Sequence, residues 1–218
     1  SDGAIVSHTV NIIGMGESSV AEEIEDMFDA KNPTVAPYAK SGEVRLRITA
    51  KAETADEADR MCAPVVEKIC SRLGDVVYGT DMNSIEERVV ALLKEKGKKI
   101  ATAESCTAGY IPKRLTDIPG ASEVFECGIV SYSNDIKTKL LGVSPKTLET
   151  YGAVSEQTAR EMALGAKRVS GADIAISTTG LAGPGGDGVL PGGLSFAAVT
   201  DGERTVVEKI VTGHENDR

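Results

Sequence analysis

Histidine and cysteine are scarce in this sequence of 218 residues. The two histidines, His8 and His214, leave a Ser–His–Asp catalytic arrangement with few choices of base. The four cysteines include no CxxC pair and form no cluster with histidine, so the usual sequence patterns of zinc sites and disulfide frameworks are missing. A chain with so few cysteines is typical of a reducing compartment, and we therefore expect a cytoplasmic protein.

Long apolar runs are also missing. No stretch of about 18 consecutive apolar residues occurs, so we expect no membrane-spanning helix and no membrane partner. Residues 1–3 lack the basic and apolar regions of a signal peptide, and we interpret them as a cut or processed end. The GxxxxGK[ST] phosphate-binding motif, the dinucleotide-binding fingerprint, internal repeats and heptads are all absent from the sequence.

Positive charge is in short supply. The chain has 24 lysines and arginines against 33 aspartates and glutamates, which gives a net charge of −9. Residues 1–82 are the more acidic part, with 15 acidic and 8 basic side chains. An acidic surface repels phosphate backbones, so we expect no nucleic-acid partner. A local pocket can still bind a small anion.

The hydrophobic pattern of residues 1–82 predicts a small α+β module, in the order strand, helix, strand, helix, strand. Helices are predicted after Ser18 or Ser19 and after Thr54, because serine and threonine are favoured at helix N-caps. A loop is predicted over residues 37–42, since proline and glycine interrupt regular structure. The predicted strands are residues 5–13, 43–50 and 76–78.

Strands and helices alternate over residues 83–218, which predicts a three-layer α/β/α domain with a largely parallel sheet. Ser84 and Glu87 form a capping box that opens this domain, so we place the domain boundary between residues 82 and 83. Helices are predicted from Ser84 to Gly97, from about residue 105, near residues 135–141 and over 155–170. The predicted strands are residues 99–103, 124–132, 173–179, 192–200 and 205–212.

The first polar strand end of this domain is Glu104-Ser105-Cys106-Thr107, where a helix is expected to begin. A helix N-terminus offers unpaired N–H groups, so Ser105 would be a nucleophile with anion-stabilising donors beside it. From this stretch alone, an N-cap without chemistry is the favoured interpretation of Ser105. Cys106 is a rival nucleophile, which we interpret as a small packed residue because it lacks an obvious histidine partner.

A serine nucleophile needs a base, and lysine serves when burial lowers its pKa from about 10.4 toward neutrality. Tyr132 and Lys137 follow an apolar strand and are expected level with Ser105, although Lys137 also fits an ordinary solvated lysine. The third polar strand end, residues 179–186, is glycine-rich, so its backbone can approach a ligand closely. Ligands bind beyond the carboxyl ends of strands in open α/β sheets, so this convergence favours a site.

With these motifs the sequence resembles the CinA family. Residues 83–218 resemble its C-terminal nicotinamide mononucleotide deamidase domain, and residues 1–82 resemble the KH-like connecting module that precedes it. The family's N-terminal pyrophosphatase domain has no counterpart in these 218 residues, and we expect the second domain to lack its closing helix. The matching stretches are residues 103–107, 116–120, 130–134, 141–143, 152–156 and 179–184, together with 14–17 and 32–39 in the first module.

The resemblance implies an amidohydrolase of pyridine nucleotide salvage, which converts nicotinamide mononucleotide to nicotinic acid mononucleotide and ammonia without a metal or other cofactor. It implies that Ser105 is the nucleophile, that Lys137 is its base and that Tyr132 supports the pair. It also implies a homodimer whose ligand is this small-molecule substrate. The residues that it places against the substrate are Thr107, Thr179, Gly180, Gly183 and Arg218.

Two other functions stay open at this point. The chain fits a catalytically weakened nucleotide-binding or scaffold module of a CinA-type protein. It also fits an RNA-binding protein that uses the KH-like part, but that part is strongly acidic and lacks the GxxG loop that clamps nucleotides in RNA-binding KH domains.

Overall fold

The computed structural model describes residues 3–40, 42–182 and 186–212, and every structural statement below refers to them. The chain divides into two compact units, Ser1–Arg88 and Val89–Arg218. The boundary expected between residues 82 and 83 lies a few residues before this division. Within the described residues, no helix combines the length and the apolar character needed to cross a membrane.

The first unit is a four-stranded antiparallel sheet with two helices, which confirms the predicted small α+β module. The spatial order of its strands is β2-β3-β1-β4. The strands are β1 (Ala4–Ile13), β2 (Thr34–Lys40), β3 (Glu43–Ala52) and β4 (Val77–Thr80), and the helices are α1 (Glu17–Glu23) and α2 (Ala55–Leu73).

Side-chain alternation and helix capping explain the two best-predicted elements of this unit. Val44, Leu46 and Ile48 on β3 are buried, as alternation along a half-buried strand requires. The Thr54 hydroxyl accepts the Glu57 N–H at 3.2 Å, which satisfies one of the unpaired N–H groups at the start of α2. Both predictions are confirmed.

Two predictions for the first unit are wrong. Residues 37–42 are not a loop throughout, because Thr34–Lys40 forms β2. This strand lies at the edge of the sheet, where a proline such as Pro37 is tolerated. Ser18 and Ser19 do not cap α1, which begins at Glu17 after the extended Gly16. Glycine is itself accepted at this position, so no hydroxyl is needed.

The second unit contains a five-stranded sheet in the order β6-β5-β7-β8-β9. Its strands are β5 (Ile100–Glu104), β6 (Phe125–Val130), β7 (Ile174–Gly180), β8 (Leu194–Thr200) and β9 (Thr205–Val211). The remaining helices are α3 (Ile85–Glu95), whose first residues belong to the first unit, α4 (Tyr110–Thr116), α5 (Asn134–Leu141), α6 (Pro145–Tyr151) and α7 (Glu156–Ser170).

The sheet is mixed rather than largely parallel. Strand β5 is parallel to both β6 and β7, whereas β8 runs antiparallel to both β7 and β9. Parallel neighbours need a long crossover connection, such as the segment with α4 between β5 and β6. No helix lies in the described part of the connection from β7 to β8, and the chain returns antiparallel there.

Helices cover both faces of the central strands, which confirms the three-layer α/β/α arrangement. On one face Ile100 of β5 packs with Leu93 of α3 and Leu115 of α4. On the other face Ala103 of β5 packs with residues of α5 and α7. Gly165 permits the close approach of those two helices, because a Cβ at that position would lie 2.1 Å from the carbonyl oxygen of Leu141. This close packing against α7 holds α5, the helix that carries Lys137, in position.

Candidate active site

Lys137 and Ser105 form a buried pair at the carboxyl end of the parallel strands. Their exposed fractions are 1% and 8%. The Lys137 Nζ atom lies 3.0 Å from Ser105 Oγ, 2.9 Å from the carbonyl oxygen of Ser131 and 3.0 Å from that of Tyr132. The interpretation of Lys137 as a solvated lysine is therefore wrong.

Helix α5 orients Lys137 toward the interior of the unit. The Ser133 hydroxyl accepts the Ile136 N–H at 3.3 Å and caps the start of the helix directly after β6. Lys137 and Leu141 are four residues apart, so they lie on the same helix face, and both are buried. Packing of that face carries the amine to the strand ends.

Burial lowers the pKa of Lys137, because the charged ammonium loses its hydration. The neighbouring Cys106 has a smaller, opposite effect on that pKa. In the neutral form the amine has two N–H donors and one lone pair. The carbonyl oxygens of Ser131 and Tyr132 can accept both donors, which leaves the lone pair for the hydroxyl proton of Ser105. This arrangement suits a general base.

Ser105 lies in a bend rather than at a helix N-cap, so the predicted helix start is wrong. Its N–H donates to the Thr178 carbonyl oxygen at 2.9 Å, and residues 106–109 form a turn before α4 begins. Ala108 and Gly109 have φ values of 49° and 96°, which are incompatible with a right-handed helix. The helix therefore starts at Tyr110, and Ser105 has no capping role.

Two backbone N–H groups of this turn stand beside the serine. Burial raises the pKa of the Cys106 thiol, and the backbone N–H groups of Cys106 and Thr107 lower that pKa by a smaller amount. A thiol held protonated in this way is a poor nucleophile. Within the described residues the Cys106 N–H group donates to no backbone carbonyl oxygen, so it can bind an oxyanion near Ser105.

A cavity of about 360 Å³ opens over the Ser105–Lys137 pair. Its wall joins the three predicted strand ends: Ser105 after β5, the segment from Tyr132 to Lys137 after β6, and Thr179 at the end of β7. Apolar side chains, including Val154 and Leu181, complete the wall. Among the described lining residues, Lys137 carries the one charged side chain.

The described residues hold no group of three or more histidine, cysteine, aspartate or glutamate side chains placed to bind a metal ion. The polar groups at this cavity are instead the Ser105 hydroxyl, the Lys137 amine and backbone groups. Such a set supports nucleophilic attack by Ser105 with proton transfer to Lys137.

Comparison with known proteins identifies a protein family for each of the two units. The family described as the CinA C-terminal domain matches residues 82–218, and the family described as the damage-inducible protein CinA KH domain matches residues 7–79. The chain belongs to the CinA family. This membership confirms the resemblance read from the motifs and the KH-like nature of the first unit.

Individual relatives agree with this assignment. A Clostridium beijerinckii protein named as competence-damage inducible is 52% identical over 99% of this chain, and a CinA-like protein of Desulfovibrio desulfuricans is 48% identical over 91%. These matches cover 53% and 47% of the two relatives, so the chain spans about half the length of the curated relatives it matches.

Solved CinA structures match part of the chain. The competence/damage inducible protein CihA of Agrobacterium tumefaciens is 42% identical, with a TM-score of 0.57 over 59% of this chain and 79% of that protein. A CinA superfamily protein of Enterobacter cloacae is 33% identical, with a TM-score of 0.57 over 59% and 77% of the two chains.

The structure brings some of the other predicted site residues to the cavity. Tyr132 lies at the rim with 74% of its surface exposed, and its carbonyl oxygen, not its phenol, contacts Lys137. Thr179 and Gly180 line the wall. The Thr179 hydroxyl donates to the Ala153 carbonyl oxygen at 2.7 Å, which ties β7 to the loop before α7.

Other predicted residues lie elsewhere. Thr107 is not among the residues that line the cavity, and its hydroxyl is 2.6 Å from that of Thr178. Gly183 and Arg218 lie outside the described residues, as does His214.

Some site features escaped the sequence analysis. Ala153 and Val154 line the cavity, and residues 152–156 were singled out only as a family match. The backbone carbonyl oxygen of Ser131 accepts a hydrogen bond from Lys137. Such a contact cannot be predicted from the amino-acid type, because every residue has a backbone carbonyl group. The buried side chain of Glu104 carried no distinguishing pattern beyond its place before the serine.

Proposed function

We propose that this CinA-family protein is an amidohydrolase that converts nicotinamide mononucleotide to nicotinic acid mononucleotide and ammonia, in pyridine nucleotide salvage. The observation that carries the proposal is the 3.0 Å contact between the buried Lys137 Nζ and Ser105 Oγ, under a cavity open to a ligand. A lysine base beside a serine nucleophile suits cleavage of an amide, and this chemistry needs no metal.

Acylation begins when Ser105 Oγ attacks the carboxamide carbon and its proton passes to Lys137 Nζ. A C–O bond forms, and the carbonyl oxygen becomes an oxyanion in the tetrahedral intermediate. The intermediate then collapses, the C–N bond breaks, and the Lys137 ammonium gives its proton to the leaving nitrogen. Ammonia departs and leaves an ester on Ser105, with Lys137 again neutral.

Deacylation repeats the sequence with water as the nucleophile. Lys137 takes a proton from the water as its oxygen attacks the ester carbon, and the C–O bond to Ser105 breaks. Ser105 Oγ receives the proton from Lys137, and nicotinic acid mononucleotide is released. Each proton that Lys137 accepts is returned, so the amine finishes neutral. Its lowered pKa favours this cycle near neutral pH.

The oxyanion of both steps would be held by the N–H group of Cys106, a residue that lines the cavity next to Ser105. Donors fixed before the reaction stabilise developing charge without reorganising, and removal of one such donor typically costs about 10²–10³ in kcat.

The substrate phosphate would be bound mainly by backbone N–H groups. Among the described lining residues no cation other than Lys137 is available, and in this mechanism Lys137 is the base. The remaining substrate contacts implied by the family resemblance belong to the same proposal: support of the pair by Tyr132, and substrate binding by Thr107, Thr179, Gly180, Gly183 and Arg218. A ligand complex in which a lysine cluster holds the phosphate would contradict it.

An ammonia-release assay with nicotinamide mononucleotide tests the proposed function. The wild-type protein should release ammonia and nicotinic acid mononucleotide in equal amounts, and Ser105→Ala should release neither. Cys106→Ala is the matched control, because it changes the adjacent cavity residue without removing a proposed reacting group. A Cys106→Ala protein that is folded but inactive would contradict the serine mechanism.

The same assay separates the enzyme from a nucleotide-binding or scaffold module. Ala108, a non-glycine residue with φ 49°, lines the cavity and supports this alternative, because its methyl group takes up space that a ligand would need. Saturable binding by calorimetry without ammonia release would favour it. The cytoplasmic location and the homodimer implied by the resemblance are part of our proposal, and light scattering measures the oligomeric state.

A further inference from the structure

Glu104 is a buried acid immediately before the proposed nucleophile. It is the last residue of β5, and its exposed fraction is 1%. One carboxylate oxygen, Oε2, accepts the Ile111 N–H at 3.1 Å, and Oε1 has no hydrogen-bond partner within the described residues. Glu104 does not line the cavity, so it has no direct route to a ligand there.

Burial of a carboxylate is unfavourable unless its contacts compensate. A structural role in the core would be filled more easily by an apolar side chain, as the neighbouring positions Ala101 and Ala103 illustrate. The hydrogen bond from the Ile111 N–H group is therefore the contact that distinguishes Glu104 from an apolar residue at this position. It lies at the far end of the turn that carries the Cys106 N–H group.

The turn is held at both ends. At its start the Ser105 N–H donates to the Thr178 carbonyl oxygen, and at its end Glu104 accepts the Ile111 N–H. Ala108 lies between these ends with φ 49°, a conformation that is unfavourable for a residue with a Cβ. Such a conformation persists only when surrounding contacts impose it. The Glu104 carboxylate supplies one of those contacts.

We propose that Glu104 is a positioning residue for the hydrolysis described above. Its carboxylate oxygen fixes the turn over residues 106–110, and this turn holds the Cys106 N–H group in place for the oxyanion next to Ser105. Glu104 acts as a hydrogen-bond acceptor, and its negative charge is not required. The inference rests on the proposed function for its catalytic consequence, but not for the contact itself.

Three full-length variants separate these features. Glu104→Ala removes the acceptor, whereas Glu104→Gln keeps an amide oxygen of the same reach and removes the charge. Thr102→Val is the matched control: Thr102 is buried on the same face of β5, and its hydroxyl has no hydrogen-bond partner within the described residues. Its hydroxyl makes no hydrogen bond to the turn, and it does not line the cavity.

The first measurement is independent of activity. Hydrogen–deuterium exchange should be faster in peptides that cover residues 105–111 for Glu104→Ala, and unchanged there for Glu104→Gln and Thr102→Val. Unaltered exchange in a folded Glu104→Ala protein would overturn the inference, whether or not the protein is a deamidase. Should Glu104→Ala fail to fold, exchange and turnover of Glu104→Gln decide the question.

The second measurement is turnover of nicotinamide mononucleotide. For Glu104→Ala we expect kcat to fall about 10²-fold with KM little changed, since misplacement of catalytic groups by about 1 Å costs that much. Glu104→Gln should restore kcat, with the same pH profile as the wild type. A Glu104→Gln protein as slow as Glu104→Ala would overturn the acceptor role and indicate a role for the charge. Full turnover in Glu104→Ala would also overturn the inference.

Ser105 can be examined without the substrate. A fluorophosphonate reacts with an activated serine: the Oγ–P bond forms, the P–F bond breaks, fluoride departs and the proton goes to the base. Wild type and Glu104→Gln should be labelled at Ser105, and Glu104→Ala more slowly. If wild type is labelled but does not release ammonia, the proposed substrate is wrong and the positioning role still stands. Equal labelling rates in all three proteins would contradict it.

Discussion

The two units of this protein place their polar groups differently. Among the described residues, Asn11 is the buried polar side chain of the first unit, and both its Nδ2 and its Oδ1 atoms make a hydrogen bond within that unit. The second unit buries a much larger set, concentrated near the ends of β5, β6 and β7. That set includes Thr102, Glu104, Ser105, Ser131, Lys137, Ser177, Thr178 and Thr179.

The ion pairs of Asp26 in the first unit lie at the protein surface. Asp26 receives hydrogen bonds from Arg72 and Lys68, and these contacts, with that of Arg72 the stronger, lower the pKa of Asp26 to about 2. Such exposed pairs contribute little to stability. Buried amines and acids are costly to a fold, so their concentration in one unit supports our proposal that the chemistry takes place there.

The largest expected effect is at the buried pair of the second unit. Ser105→Ala and Lys137→Met should each lower deamidation by about 10³-fold or more, because each removes the same proton-transfer step. Their effects should not add, and thermal stability should hold, since a methionine fills the space of the buried amine. Steady-state ammonia release and thermal denaturation measure both quantities. Near-normal turnover in either variant would contradict the assignment of Ser105 and Lys137 as the reacting pair of the second unit.

The opposite pattern is expected for the buried polar side chain of the first unit. Asn11 Nδ2 donates to the Met82 carbonyl oxygen at 3.0 Å, and Asn11 Oδ1 accepts from Arg45 Nε at 2.9 Å. Asn11→Ala should cost about 1–3 kcal/mol of stability, with no change in turnover, because it leaves Arg45 Nε without its acceptor. The Met82 carbonyl oxygen loses one donor and keeps its hydrogen bond from Arg45 Nη2. Urea unfolding provides the measurement, and Lys68→Ala, which removes an exposed ion pair, is the control with an effect below about 1 kcal/mol.

A smaller, pH-dependent effect is expected at His8. Its pKa is raised, first by the hydrogen bond to Asp81 and then by that to Asp59, both at 2.7 Å. The folded state therefore binds the proton more tightly than the unfolded state. The stabilisation is fully present below the unfolded pKa of about 6.5, and it is lost as the pH rises through the higher folded pKa.

Urea midpoints at pH 6 and pH 9 measure this effect. The wild-type protein should lose stability between these values relative to His8→Gln, which cannot titrate there. Turnover should respond to the pH in the same way in both proteins, because His8 belongs to the first unit. An identical pH dependence of unfolding in the two proteins would contradict the His8 assignment.

The smallest effect is expected when the two units are separated. A fragment of residues 83–218 contains all of α3 and the whole described site, so it should fold alone and retain turnover. Circular dichroism and ammonia release measure the outcome. An unfolded fragment would show that the predicted boundary is wrong, and a folded but inactive one would show that the first unit contributes to catalysis.

Local patterns predicted the elements whose structure depends on neighbours along the chain. The alternation of Val44, Leu46 and Ile48 predicted β3, and Thr54 predicted the start of α2. Strand β2 was missed because Pro37 is read as a breaker, whereas an edge position tolerates it. The late start of α4 was missed because nothing local to Ala108 indicates a positive φ.

The site was predictable in its residue types and place but not in its contacts. Strand ends that carry Ser105, Lys137 and Thr179 must meet at one edge of a sheet, which is why these three were candidates before any coordinates. The carbonyl oxygen of Ser131 and the carboxylate of Glu104 belong to contacts set by distances across strands and turns. Those contacts depend on the register of β5 with its neighbours.

The sequence by itself determined the family and the two units, and it singled out Ser105 and Lys137 as candidates, because periodicity, capping residues and motifs act over short stretches of chain. The tertiary structure alone decided that Lys137 is buried beside Ser105. Its lowered pKa comes from burial, and that burial depends on α5 packing closely against α7 at Gly165. A lysine in the first turn of a helix is ordinarily charged and solvated, and only the surrounding fold removes its water.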